Sequence, residues 1–523
     1  MKKWRFTEDD RRQMQALGIT EAQVREQLGL FEKSPCFMNL HRPCTVGDGI
    51  QRLTDSEVKA SGQIQEQAAE EGRCQKFVPA SGAASRMFQD LSQHHYLYPR
   101  HRRVEISARA EAGDPVARAF FPFIEEIRRL AFLDDLQETM ARQGLDLEGL
   151  LASGRQAELV PYLLTEAGLN YGALPKGLLK FHRYPSGSRT AFEEHLAEAV
   201  HYIRDRAGVC RLHFTVSAEH HEAFVQLFKK VAPRYGQLYQ TRFKVTFSVQ
   251  DPATQTIAVD LENRPVREAD GRLLFRPGGH GALLNNLNEL KGDLVYIKNI
   301  DNVVPDRLKD PTVTWKKVLG GYLVDLQAKV HHYLHRLREG PADRAFYEEV
   351  LAFAREGFGQ SAPDDFPKWP LARQRDFLFA RLHRPLRVCG MVRNEGEPGG
   401  APFWVAGKNG ALSLQIVEGA QVDGNSLEQQ AIWTKATHFN PVDLVCALRD
   451  HRGRPFDLTR YVDKEAVFIS LKPGNGQEIK ALELPGLWNG AMADWLTVFV
   501  EVPEITFNPV KTVFDLLRPQ HQG

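Results

Sequence analysis

The sequence predicts an α/β protein built around a mixed, largely parallel sheet. Three observations carry this. Between residues 174 and 310, strand-like runs alternate with helical ones, the pattern of βαβ units. The short run Lys76-Phe77-Val78 opens into a loop of small residues, as at a strand end that turns toward a helix. The composition is globular: 42% apolar and 25% charged over 523 residues. That is too apolar for a disordered chain and long enough for about two to four structural units.

Residues 1–72 are expected to form a helical N-terminal segment. Thr20 and Gln23 make a capping-box pair, followed by Val24, Leu28 and Phe31 on one helical face. Thr54 and Glu57 repeat the cap signal. Residues 73–310 read as the α/β core, with a helical insertion at about 88–172. There FPFIEEIRRLAFLDDLQETMARQG carries helical spacing, and Gly144 is the expected stop. LPKGLLKFHRY then reads as a loop and short strand, and RTAFEEHLAEAVHYIRDRAG as an amphipathic helix. RLHFTVS is a strand, AEHHEAFVQLFKKVA a helix, and RFKVTFSVQ and LVYIKNIDNV are strands. Residues 311–384 are expected to be helical. Residues 385–523 read as an α+β part ending in a short helix at KTVFDLLR. A boundary is placed near Gly340-Pro341. No internal repeat or low-complexity tract occurs.

Charge and cysteine content narrow the function. Lys plus Arg total 67 and Asp plus Glu 66, a net charge of +1. Such balance argues against a nucleic-acid coat or a membrane-surface protein, while leaving room for a local basic pocket. Mean hydropathy is −0.38 and no run of 18 apolar residues exists, so no membrane span is expected. The start, MKKWRFTEDDRRQM, has no apolar stretch and does not read as a signal peptide. Six scattered cysteines (Cys36, Cys44, Cys74, Cys210, Cys389 and Cys446) without a CxxC read as reduced thiols, so a cytoplasmic location is expected.

Five short motifs carry the chemistry. The loop Ala80-Ser81-Gly82-Ala83-Ala84-Ser85-Arg86-Met87 lets backbone N–H groups approach a phosphate, with Arg86 placed to reach the same anion. It is neither a GxxxxGK[ST] nor a GxGxxG loop, and its bland reading is an ordinary turn. Pro175-Lys176-Gly177 aims a lysine just before an apolar run. Gly278-Gly279-His280-Gly281 permits close contact with a flat base, or is simply a turn needing positive φ. Asn299-Ile300-Asp301-Asn302 puts a carboxylate at the carboxyl end of a strand, where ligands bind in open α/β sheets and where Mg²⁺ with phosphates fits, or else makes an Asx turn. Phe507-Asn508-Pro509-Val510-Lys511 opens the last segment with another lysine. His331 and His335 are four apart on a helix, but without HExxH or a nearby cysteine they read as a solvated face. No GxSxG elbow is present.

Taken in order, these loops resemble the sugar nucleotidyltransferases of the UDP-sugar pyrophosphorylase type. Over its whole length the chain resembles an uncharacterised bacterial family of unknown function, through KFVPASGAASRMF, RVCGMVRNEGEPGG and ELPGLWNGAMADW. The resemblance implies a nucleotide-diphospho-sugar transferase-like fold (GT-A, Rossmann-like) and joining of a nucleoside triphosphate, UTP favoured, to a phosphorylated sugar or similar small molecule. Pyrophosphate leaves and Mg²⁺ is the cofactor; neither nucleic acid nor membrane is a partner. Arg86, Lys176 and Lys511 match the catalytic cations and Asp301 the metal aspartate. Ala80, Ser81, Gly82, Ala83, Ser85, Gln250, Gly279, His280 and Gly281 match nucleotide-binding positions. Glu418, His438 and Asn440 match the acceptor pocket; Asn394 is also assigned to the acceptor, in a loop, Asn394-Glu395-Gly396-Glu397-Pro398-Gly399-Gly400, that is foreign to that family. Ala84 stands where the family has its second glycine, and Arg86 and Lys176 lie 90 positions apart instead of about ten. Two alternatives stay open: a non-sugar phosphorylated acceptor, and a catalytically silent nucleotide-binding regulator of the same fold.

Overall fold

The computed structural model describes residues 4–33, 37–340, 343–397, 399–408, 410–474 and 477–522. Its fold is mixed α/β, and the chain divides into two units. The first comprises Met1–Phe77, Val249–Ile297 and Lys316–Glu504; the second comprises Val78–Ser248, Lys298–Trp315 and Ile505–Gly523.

In the first unit the main sheet runs in the order Thr45–Val46, Gly49–Gln51, Leu496–Glu501, Leu386–Arg393, Asp443–Ala447, Leu294–Lys298, Cys74–Pro79. Leu294 pairs in parallel with Cys74, Leu386 with Leu496, and Phe499 with Ile50; Leu386 pairs antiparallel with Ala447. The central strands are covered on both faces, which is why Leu294–Lys298 and Asp443–Ala447 are buried at every residue. Phe77, Val295, Ile297, Cys389, Leu444 and Phe499 form the centre of this core. A three-stranded sheet (Leu40–Pro43, Ala401–Ala406, Leu412–Val417) packs its own smaller core.

The N-terminal helices Glu8–Leu17, Glu21–Glu32 and Asp55–Glu70 form, and the Thr20–Gln23 and Thr54–Glu57 capping boxes are both made. Between them, however, Leu40–Pro43, Thr45–Val46 and Gly49–Gln51 are strands where helix was expected. Thr45–Val46 pairs locally with Gly49–Ile50, but the other two strands are held from hundreds of residues away: Leu40 pairs with Val405 and Ile50 with Phe499. Local periodicity cannot register such pairing. Pro341 lies outside the described residues.

The second unit holds the strands Val209–Val216 and Arg242–Val249, the short pair Lys180–His182 and Arg189–Thr190, and helices from Gln89 to Leu164. The long run expected as one helix is broken. Pro115–Glu126 ends in a 3₁₀ turn, Leu130 is extended, and a new helix spans Leu133–Ala141 before Gly144 at φ 75°. The segment expected as an amphipathic helix forms at Ala191–Ala199 but is buried all round. Two of its acids are matched by cations from the 298–315 segment: Glu198 with Lys298 at 2.6 Å and Glu194 with Lys309 at 2.5 Å. Burial acts to raise the Glu194 carboxyl, but Lys309, His182 and Arg189 together hold it down to about 2. Phe192, Phe214, Phe224 and Phe247 pack the space beneath. The expected C-terminal helix is a 3₁₀ turn, Val513–Leu517, because Arg518 before Pro519 is extended and stops it.

Cys44, Cys74, Cys210, Cys389 and Cys446 are free and buried; Cys36 lies outside the described residues. Among the described residues no helix is long and apolar enough to cross a membrane.

Candidate functional site

Three remote segments meet within the second unit. The small-residue loop leaves its strand at Ala80, whose N–H donates to Thr215 O at 2.8 Å. Ala83 then bridges to Pro175, and the Lys176 N–H donates to Gly82 O at 3.2 Å. This fixes the Pro175-Lys176 turn against the loop despite the intervening helices. Lys176 Nζ reaches Asp301 Oδ2 and Val510 O, each at 2.6 Å. Asp301 in turn is held by its own carbonyl, which accepts from Val510 N–H at 3.1 Å. The Lys176 and Asp301 side chains are only 14% and 20% exposed. Charge-assisted hydrogen bonds in such a setting are strong and short.

Gly177 explains how close the lysine turn lies to the core. A Cβ there would sit 2.7 Å from Phe224 Cε1, and Ile300 Cδ1 is the next neighbour. His195, fully buried, places Nε2 3.1 Å from Ile300 O and so steadies the strand end that carries Asp301. Ser81, Gly82, Ala83, Ser85 and Arg86 are exposed, and a Cβ on Gly82 would meet nothing within 4 Å. The loop surface is therefore open to a ligand. Arg86 ends the 3₁₀ turn Ala84–Arg86, and the next residue's carbonyl, Met87 O, accepts from Val513 N–H at 3.0 Å. Lys511 is exposed, with Nζ 5.8 Å from the Phe507 ring centroid. Arg86, Lys176, Asp301 and Lys511 are thus tied together by direct or neighbouring backbone contacts.

The remaining predicted residues lie in the first unit. Gly278, Gly279 and Gly281 are required by packing there. Cβ atoms would fall 2.4 Å from Thr254 O, 2.8 Å from Glu483 Oε2 and 2.3 Å from Pro485 O, and Gly279 also has φ 71°. His280 stacks on Trp488 with centroids 4.2 Å apart, accepts Leu487 N–H at Nδ1, and has Nε2 3.6 Å from Glu418 Oε1. Asn440 donates its N–H to Gly400 O, and a Cβ on Gly400 would lie 3.3 Å from Glu418 Cγ. His438 pairs with Arg393 in the strand ladder, next to Asn394, whose N–H reaches Thr437 O. His280, Glu418, Asn440, His438 and Asn394 therefore form one contiguous line. Burial lowers the His438 imidazolium, partly countered by Glu501, 3.4 Å away. Gln250 donates to Thr254 Oγ1, and Thr254 O lies 2.4 Å from where a Cβ on Gly278 would sit.

Sequence reasoning missed three supporting residues. Asn302 accepts Asn508 N–H at 2.9 Å and bridges Pro509, clipping the last segment to the Asp301 turn. Trp488 forms the stacking floor for His280. Asn489, 1% exposed, donates to Ile416 O while its Oδ1 has no protein partner. The signal was present for the last two in the Trp-Asn-Gly run of ELPGLWNGAMADW, an aromatic beside a turn.

The fold and these loops define a mixed α/β protein in which a lysine, an aspartate and an open small-residue loop share one place. The chain belongs to the family described as Domain of unknown function (DUF4301), whose model matches residues 7–522. No curated protein matches the sequence. Among solved structures it is similar to the uridine diphosphate N-acetylglucosamine pyrophosphorylase of Trypanosoma brucei in complex with inhibitor: 14% identity, 98% of this chain, 79% of that chain, TM-score 0.46. It is also similar to a UDP-glucose phosphorylase of Trypanosoma brucei (13%, 97% and 77%, TM-score 0.45) and to a variant of UDP-glucose pyrophosphorylase from Leishmania major (14%, 97% and 77%, TM-score 0.43).

Proposed function

We propose that this protein is a Mg²⁺-dependent nucleotidyltransferase joining a nucleoside triphosphate, UTP favoured, to a phosphorylated sugar or similar metabolite with release of pyrophosphate. The observation that carries the proposal is the meeting of Lys176 Nζ with both Asp301 Oδ2 and Val510 O beside the open loop that bears Arg86. These segments are 125 and 334 positions from Lys176 in sequence.

In this reading an oxygen of the acceptor's phosphate attacks the α-phosphorus. A new P–O bond forms, the bond to the β-phosphate oxygen breaks, and pyrophosphate leaves with the electron pair. The nucleophile is already an anion, so no general base is needed. Charge neutralisation and alignment are what the protein must supply. Loop N–H groups and Arg86 bind the triphosphate. Lys176 exchanges Asp301 for a phosphate oxygen, and Lys511 holds the acceptor phosphate. Asp301 is suited to Mg²⁺: Lys176 bonds only Oδ2, and Mg²⁺ takes few protein ligands when phosphates supply the rest. When bound, the ion would neutralise charge on the phosphate oxygens. Gln250, Gly279, His280 and Gly281 are assigned to the base, and Asn394, Glu418, His438 and Asn440 to the acceptor. The sequence resemblance supports these assignments apart from Asn394, and contiguity within the first unit supports the second group.

The test is titration calorimetry with each of four nucleoside triphosphates plus Mg²⁺, followed by a pyrophosphate-release screen against phosphorylated metabolites. Release with one nucleotide and one acceptor class is expected. Binding without release on every acceptor identifies a silent relative, and absence of nucleotide binding removes the proposal.

A further inference from the structure

We propose that His383, Asp450 and His451 in the first unit form a binding site for a borderline divalent transition-metal ion, Zn²⁺ foremost. One ligand atom from each lies within 4.8 Å of the others. His383 closes the helix Leu371–Leu382, and Asp450 and His451 sit in the turn that begins at the Arg449–Pro455 bridge. Asp450 is 5% and His451 7% exposed. Both ring nitrogens of His451, and Nε2 of His383, are buried without a protein hydrogen-bond partner. Asp450 Oδ2 lies 3.7 Å from His383 Nε2, beyond hydrogen-bond reach.

Buried polar atoms are normally satisfied, so two buried imidazoles with unpartnered nitrogens beside one carboxylate need a reason. A metal ion supplies one by taking a nitrogen from each ring. Two imidazoles with a carboxylate suit Zn²⁺, Co²⁺ or Ni²⁺, whereas Mg²⁺ and Ca²⁺ require oxygen donors. The carboxylate is pre-positioned: Oδ1 accepts Arg452 N–H and Arg454 N–H, both at 2.9 Å. Oδ2 accepts from Arg454 Nε at 2.9 Å and Nη2 at 2.7 Å, but that side chain is 61% exposed and can swing into water. His335, one of the pair that sequence spacing had assigned to a solvated face, places Nε2 3.1 Å from His451 O and fixes the turn to the helix Lys309–Glu339. Phe379 and Phe456 flank His383 and shield the site. Three protein ligands leave a fourth tetrahedral position for water. The ion would clip the helix end to the turn.

The test uses the full chain, stripped with a chelator and titrated with ZnCl₂ by calorimetry, and with CoCl₂ by visible absorption. One equivalent of Zn²⁺ with a Kd of about 1 µM or tighter is expected, along with the ligand-field bands of tetrahedral Co²⁺. His451→Gln and His383→Gln should each weaken Zn²⁺ by more than the roughly 10–100-fold that loss of an outer-sphere partner costs. If His451→Gln does not fold, the part-exposed His383→Gln decides. Absence of a stoichiometric Zn²⁺ site, or unchanged affinity in the folded variants, would overturn the proposal. So would Mg²⁺ binding of equal strength that His383→Gln abolishes.

Discussion

The Lys176–Asp301 pair can be measured directly by a double-mutant cycle. At 2.6 Å, and with an effective dielectric of about 20, the gross attraction is about 6 kcal/mol. Desolvation of two groups that are mostly buried takes back much of it, so a net coupling of about 1–3 kcal/mol is expected. Lys176→Met removes the cation and also strips Val510 O of its donor, and should cost about 2–4 kcal/mol. Asp301→Asn keeps an acceptor for Lys176 and should cost less. The double variant should be more stable than the sum of the singles predicts. Urea unfolding of all four proteins gives the number. Because the pair is shielded, the coupling should survive high salt, unlike that of a surface pair. Pyrophosphate should reduce it, because the anion competes with Asp301 for the ammonium. Additivity within about 0.5 kcal/mol would show that the two groups do not interact in solution, and the reasoning for a shared site would fail.

Arg86→Ala should lower turnover about 100–1,000-fold with little change in Tm, since it is exposed and its role is electrostatic; near-wild-type rates at saturating substrate would remove it from the site. Gly177→Ala must push Phe224 aside from 2.7 Å and should destabilise by about 1–3 kcal/mol, read by urea unfolding. Glu194 makes the protein acid-sensitive. Its carboxyl lies at about 2 when folded against an ordinary 4.5, so its stabilisation is complete above the unfolded value and is lost as pH falls through the folded one. The loss is on the order of 3 kcal/mol between roughly pH 5 and pH 2, and Glu194→Gln should flatten that limb of the stability–pH curve. Trp488→Ala should loosen His280 and weaken nucleotide binding measured by calorimetry, with the Lys176–Asp301 coupling unchanged.

Local sequence determined the features whose physics is local. Thr20 with Gln23 and Thr54 with Glu57 define helix starts within four residues, and both caps form. Leu294 to Lys298 reads as a strand because Leu-Val-Tyr-Ile is a short apolar run of strand-favouring residues, and the strand forms there. No single turn singled out Arg86, Lys176, Asp301 and Lys511; the order of the charged motifs did so, through the family resemblance. What tertiary structure decided was pairing. Leu40 and Ile50 became strands only because Val405 and Phe499 offered free ladder groups. Ala191–Ala199 could bury four charged or titratable side chains because Lys298 and Lys309, 100 and 115 positions away, arrive opposite Glu198 and Glu194. Lys176 met Asp301 across 125 positions because the loop at Ala83 pairs with Pro175. Hydrogen bonds and ion pairs act over a few ångströms of space whatever the separation in sequence, so periodicity and spacing give no sign of them until the chain has folded.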